Sequence, residues 1–212
     1  LGWDYWFTEA GNHEARGNVI HHNLLHDSGG YGKQNGVWKF PYYTWGIYHD
    51  LSSSGFWDYD NVVYNTYYGN YMIGGGQDNV CENNVFVNGN IAQLYACPWP
   101  DRYTMARNVI RRNVVASNSS STKYYSSANY TGGQVTCSQN VAYNGGYSLR
   151  ISVSGASTWN QWRNLGQDAG SVVGDPKFVD AANNDYRLQA SSPAFGLGFE
   201  QIDISGAGLY ES

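Results

Sequence analysis

The chain has 212 residues, with 12 Lys and Arg against 17 Asp and Glu for a net charge of −5. That length makes one domain with room for a substantial core. The acidic balance, with no basic cluster beyond Arg111-Arg112, argues against a nucleic-acid partner. No apolar run approaches the roughly 20 residues that span a bilayer. Charged residues make up only 14 %, so the surface must rest on Asn, Ser, Gly and Tyr, and 19 Tyr with 8 Trp exceed what a narrow core absorbs. Exposed aromatic faces beside amides and hydroxyls are what a sugar ring needs, with CH surfaces to stack and OH groups to bond.

The chain begins at Leu1 without an initiator Met or the apolar core of a signal peptide, and Gly2 to Glu14 already resembles mid-domain sequence. It reads as a trimmed product of a longer precursor that has lost N-terminal coils. Asn-Val then recurs at Asn18, Asn61, Asn79, Asn108 and Asn140, with a second Asn five positions on at Asn23, Asn84 and Asn113. The step from Asn18 to Asn61 is over twice that from Asn61 to Asn79, and reads as two turns of one repeat. Each unit joins a short β-branched run to Asn, Gly and Ser punctuation, so it predicts strands and turns stacked as a solenoid. Asn suits the corners because it tolerates left-handed backbone and can ladder its amides from coil to coil.

Along the chain, Asn18 to His26 opens the first coil, followed by Gly36-Val37-Trp38-Lys39-Phe40 and Gly46-Ile47-Tyr48-His49-Asp50-Leu51. Period-two alternation puts Ile47, His49 and Leu51 on one face and Tyr48 with Asp50 on the other. It likewise sends Val85 and Val87 inward with Phe86 outward, Ala92, Leu94 and Ala96 inward with Gln93 and Tyr95 outward, and Leu149, Ile151 and Val153 inward with Arg150 outward. His21 and His22 point to opposite faces and so do not chelate one ion together. No helix is signalled. Ser117 to Thr131 reads as an exposed loop carrying two sequons, at Asn118 and Asn129, the expected glycosylation sites. Cys81, Cys97 and Cys137 match no metal-ligand spacing, and Cys81 falls inside a strand as a buried free thiol. From Val172 onward Pro and charge punctuate the sequence, as expected of a cap. The expected fold is all-β: a right-handed parallel β-helix with coils over 1–171 and a C-terminal coil and cap over 172–212.

Gly46-Ile47-Tyr48-His49-Asp50 with Ser53-Ser54-Gly55, the Asn-Val-Val-Tyr-Asn strand at 61–65, and Asp78-Asn79-Val80-Cys81-Glu82-Asn83-Asn84-Val85-Phe86 resemble parallel β-helix proteins of carbohydrate metabolism. The ending, with Asp175-Pro176-Lys177-Phe178, Asp185-Tyr186-Arg187-Leu188 and Ser192-Pro193-Ala194, is similar to the tail of many of them. Within the pectate-lyase-like superfamily the resemblance is to family-141-like glycoside hydrolases. It implies an extracellular or cell-surface protein, acting on a polysaccharide as a glycoside hydrolase.

Glycosidic cleavage usually needs two carboxylates about 5–10 Å apart, a spacing that one or two rungs of a stacked sheet supply. Asp50 is the first candidate, beside Tyr48 and Trp57, and its partner would be Asp58 at the next turn or Asp27 one coil earlier. His49, Tyr95 and Arg150 complete the expected substrate contacts. No metal site is expected from His13, His21, His22, His26 and His49. Calcium on Asp58, Asp60, Asp78 and Glu82 would suit a polysaccharide lyase, whose base would have to come from Lys39 or Arg102. Gly74-Gly75-Gly76 precedes a strand and so is no phosphate loop. The alternative is a non-catalytic surface or filament subunit self-associating through the solenoid ends. It fits Leu51, which stands where relatives carry an acidic residue after the aspartate.

Overall fold

The computed structural model describes residues 16–50, 52–98 and 105–208. Strand makes up 42 % and helix 6 %, and the strands stack as a parallel β-solenoid of about 5 turns. The first coil holds β1 (Val19–His21), β2 (Leu24–His26), a hairpin of β3 (Gly32–Gln34) and β4 (Val37–Lys39), and β5 (Trp45–His49). The second holds β6 (Trp57–Tyr59), β7 (Val62–Tyr64) and β8 (Gly69–Ile73), and the third β9 (Val80–Glu82), β10 (Val85–Val87) and β11 (Ala92–Ala96). The fourth holds β12 (Asn108–Arg111), β13 (Val114–Ser117) and β14 (Lys123–Ser127), and the fifth β15 (Val135–Ser138), β16 (Val141–Asn144) and β17 (Arg150–Val153). Then come β18 (Ala156–Thr158), helix α1 (Trp159–Asn164), β19 (Val172–Val173), and the antiparallel pair β20 (Phe178–Asp180) and β21 (Asp185–Leu188).

Three sheets result. Sheet A orders β1-β6-β9-β12-β15, sheet B orders β2-β7-β10-β13-β16-β19, and sheet C orders β5-β8-β11-β14-β17-β18. Every rung is parallel except the last of sheet C, β17 to β18.

The A–B corner shows why asparagine recurs. A single residue in left-handed conformation turns the chain: His22, Asp60, Asn83, Arg112 and Gln139, all near φ +50°. The asparagine that follows turns its amide into the stack. Nδ2 of Asn23 donates to Asn61 at 2.9 Å, Asn61 to Asn84 at 2.9 Å, Asn84 to Asn113 at 3.0 Å and Asn113 to Asn140 at 3.2 Å. The steps are 38, 23, 29 and 27 residues. Asn79 and Asn108 form a separate ladder ahead of sheet A, with Asn79 Nδ2 donating to Asn108 Oδ1 at 2.9 Å. The five Asn-Val sites therefore belong to two corners. Asn18 to Asn61 does not span two coils: it spans one coil lengthened by the β3–β4 hairpin, then the short step from one ladder to the other. Val37–Lys39 is accordingly hairpin, not coil. Asn35-Gly36, both at positive φ, makes its tight turn.

The interior carries rows of stacked side chains. In sheet A the inward row runs Ile20, Asp58, Cys81, Ile110 and Cys137. In sheet B it runs Leu25, Val63, Phe86, Val115 and Ala142. Phe86 thus points inward, and Val85 and Val87 outward, the reverse of the alternation reading. The corner residue before each sheet B strand resets the phase. The outward row of Val62, Val85, Val114 and Val141 is apolar too, so it needs a cover. Tyr186, Leu188, Ala194, Phe199 and Ile202 of the C-terminal segment supply it. Sheet C follows the expectation at Ile47, Leu94, Ala96 and Ile151, all in the main core, but not at Ala92 and Gln93, where Gln93 is buried with its Oε1 accepting from Asn70 Nδ2 at 2.6 Å.

The last coil is closed by α1, which the alternation reading did not anticipate. Thr158 and Gln161 form its capping box, a Thr-x-x-Gln signal readable in the sequence. The helix buries Trp162 against Tyr125 and Tyr130. Asp168 ends the ladder, its Oδ1 accepting from Asn140 Nδ2 at 3.0 Å. The stretch 117–131 is not a loop throughout, because β14 runs through it with Tyr124 and Tyr125 buried. Asn118 and Asn129 are exposed on either side of β14. Cys81 and Cys137 are free and buried, Cys97 is free and partly buried, and burial pushes all three thiols upward in pKa. The N-terminal stretch expected to follow missing coils, with His13, lies outside the described residues, as do Leu51 and Arg102.

Candidate functional site

Outward side chains of sheet C form two rows across the coils. One runs Tyr48, Met72, Tyr95, Ser126 and Ser152, and the other Trp45, Gly69, Ala92, Lys123 and Arg150. Gly69 carries no side chain, and the Trp45 indole lies across it; a Cβ at Gly69 would sit 2.5 Å from the ring. That close approach lets Trp45 reach Tyr95 two coils on, at a centroid distance of 5.0 Å, while Tyr43 and Tyr68 pack around it at 6.4 and 5.5 Å. Trp45, Met72 and Ala92 are themselves buried, so the first three coils present a shelf of Tyr43, Tyr48, Tyr68 and Tyr95, and the last two present Lys123 and Arg150.

Asp50 directly follows β5 at the edge of this shelf, within hydrogen-bonding reach of the Tyr48 phenol. Burial first, then the Asp50 carboxylate, pushes Tyr48 well above its ordinary pKa, so the phenol stays a protonated donor. A Cβ on Gly74, one coil on, would stand 3.2 Å from Asp50 Oδ1. Tyr48, Asp50, Tyr95 and Arg150, named from sequence as site residues, thus share one face.

The other candidates lie elsewhere. Asp58 is 0 % exposed within the core, its Oδ2 2.7 Å from His49 Nε2 and accepting from the Tyr71 hydroxyl at 2.8 Å. His49 is equally buried and packs against Phe56 at a 45° tilt, 4.4 Å between centroids. Neither group reaches the surface. Asp27 sits at the B–C corner, bonded to His26 Nδ1 at 2.8 Å and Asn65 Nδ2 at 3.1 Å. The length of β5 separates it from Asp50, about 16 Å for five extended residues. It edges an open cleft of about 410 Å³ with Phe40, Tyr67 and Asn90.

Trp57 faces out from sheet A, where a cleft of about 290 Å³ gathers Trp57, Tyr59, Asp60, Glu82, Arg112 and Glu200. Glu82 Oε1 accepts from the Trp57 indole at 2.9 Å, and Oε2 accepts from Arg111 Nε at 2.7 Å and from Arg112. Burial acts to raise the Glu82 pKa, but Arg111, then Arg112 and the indole, outweigh it and hold the carboxyl below its ordinary value. Alternation did not reveal this cluster, because Arg112 and Asp60 are corner residues and Glu200 arrives from the far end of the chain.

Beside it, His21 and His22 do converge, Nδ1 to Nδ1 at 2.8 Å. The left-handed turn at His22 brings together rings that strict alternation would separate. Among the described residues no group of three His, Cys, Asp or Glu side chains could hold a metal ion. The four carboxylates considered for calcium are dispersed between core, corner and ion pairs. Asp78 lies between Arg107 and Arg16, which hold its pKa down at about 2 from an ordinary 3.8. Because the folded value is the lower one, this pairing stabilises the fold above pH 3.8, and the contribution fades as pH falls through about 2. All three side chains are a third or more exposed, so the expected loss in Asp78→Asn is below about 1 kcal/mol at neutral pH. Melting curves for both proteins should converge on acidification.

No helix among the described residues is long and apolar enough to cross a membrane. No protein-family model, curated protein or solved structure matches the chain. The solenoid and its surface chemistry therefore carry the functional argument.

Proposed function

We propose that this β-helix is an extracellular carbohydrate-active protein that lays an extended polysaccharide across the strands of sheet C, with Asp50 acting on a glycosidic bond as in a glycoside hydrolase. The observation that carries the reading is the cluster of Tyr43, Tyr68 and Tyr95 seated on the buried Trp45, with Tyr48 and Asp50 beside it. Sugar rings stack on aromatic faces, while a carboxylate and a phenol supply the polar groups that orient and protonate. Lys123 and Arg150 extend the same face and offer donors to hydroxyls further along the chain. The resemblance of the Gly46–Asp50 and Asp78–Phe86 segments to family-141-like glycoside hydrolases supports the same face, and exposed Asn118 and Asn129 in sequons support the compartment.

A screen of neutral and acidic polysaccharides against wild type and Asp50→Asn tests the reading. Hydrolysis of at least one substrate is expected, falling at least about 100-fold in the variant, the usual weight of a general acid or base. Full activity in Asp50→Asn would remove Asp50 from the chemistry. The burial of Asp58 and the remoteness of Asp27 favour a second reading, a non-catalytic surface protein with this scaffold. Binding without turnover in the same screen would select it.

A further inference from the structure

The cleft on sheet A is chemically richer than a structural corner requires, and it is separate from sheet C. Trp57 is 46 % exposed, yet its indole is fixed in plane by the bond to Glu82, which Arg111 and Arg112 fix in turn. Tyr59 packs beside it at 4.6 Å between centroids. A large apolar ring held rigid in solvent loses little freedom on binding, which is the property of a stacking platform. The opposite wall is brought in on purpose-built bonds: Asn83 Nδ2 donates to the Glu200 carbonyl at 3.0 Å, and the Glu200 amide donates to Asn83 Oδ1 at 2.7 Å. These clip the C-terminal segment, 117 residues away in sequence, over the cleft.

We propose that this cleft is a second carbohydrate site, holding one neutral sugar ring stacked on Trp57. Its volume of about 290 Å³ is at the small end of ligand pockets and suits a monosaccharide unit of a longer chain. Charge selects the ligand class. Arg111 and Arg112 share the single Glu82 carboxylate, so the cleft holds three carboxylates against two guanidiniums once the rim is counted: Asp60, whose Oδ1 accepts from Asn83 Nδ2 at 2.6 Å and whose Oδ2 lies 3.6 Å from His22 Nε2, and Glu200. These accept hydrogen bonds from sugar hydroxyls and repel a uronate or a phosphate.

The site does not depend on Asp50, and the test separates the two. Calorimetric titration with neutral gluco-, xylo- and manno-oligosaccharides and with oligogalacturonate is run on wild type, Trp57→Ala, Trp57→Phe and Asp50→Asn, and on Asp50→Asn combined with each Trp57 variant, each checked for an unchanged circular dichroism spectrum. At least one neutral oligosaccharide is expected to bind, its affinity falling tenfold or more in Trp57→Ala and partly restored in Trp57→Phe, with the same dependence on Trp57 when Asp50→Asn is combined with each. Neutral-sugar binding that is indifferent to Trp57, binding confined to oligogalacturonate, or no binding by any of these sugars would overturn the proposal. Loss in Asp50→Asn alone would do so too, while leaving the sheet C reading in place.

Discussion

Asp168→Ala is expected to cost about 4 kcal/mol or more and to loosen the fifth coil and its helix. Asp168 is 0 % exposed; Ser171 stands where a sixth corner asparagine would, its Oγ accepting from the Asn140 amide at 2.8 Å, and Asp168 takes the Asn140 Nδ2 bond. Its Oδ1 accepts from Asn140 Nδ2 at 3.0 Å, Tyr124 Oη at 3.0 Å and Ser171 Oγ at 2.7 Å, and its Oδ2 accepts from the Trp162 indole at 2.7 Å. Alanine would orphan three buried donors, on Asn140, Tyr124 and Trp162, at about 1–3 kcal/mol each. Asparagine would keep an acceptor for the ladder but turn an NH2 toward one of the donors, so an intermediate loss is expected. Urea denaturation followed by Trp fluorescence reads the effect. A midpoint within error of wild type for Asp168→Ala would show that the ladder needs no terminal acceptor.

His49→Leu is expected to cost about 3–5 kcal/mol, because it leaves the Asp58 carboxylate buried with Tyr71 as its remaining partner. Asp58 occupies a row otherwise filled by Ile20, Cys81, Ile110 and Cys137, and its Oδ1 and His49 Nδ1 have no hydrogen-bond partner. The pair is thus an incomplete polar island, and replacing both members with leucine should recover most of the loss. A double-mutant cycle measured by thermal and urea unfolding gives the coupling directly. If His49→Leu and the double variant were equally unstable, the pair would not act as a unit.

Much of the candidate site was legible only in fragments. Tyr48, Asp50 and Tyr95 fell on one face by simple alternation, because β5 and β11 are regular where those residues sit. Asp58 did not, because the strand phase is set by the corner before it and Trp57, not Asp58, takes the outward position. The same reset inverted Val85, Phe86 and Val87. Two local signals were readable and pointed to real elements: Asn35-Gly36 for the hairpin that lengthens the first coil, and Thr158 with Gln161 for α1.

The repeat, the strand class and the asparagine corners are readable from short-range chemistry: β-branched runs, left-handed backbone tolerance and side chains equivalent from coil to coil. Which corner each asparagine serves, the cover over the outer face of sheet B, and the meeting of Glu200 with Trp57 and Arg112 emerge from the folded chain alone. Those outcomes depend on how many residues each coil inserts and on where a segment more than a hundred positions away returns, and no local pattern encodes either.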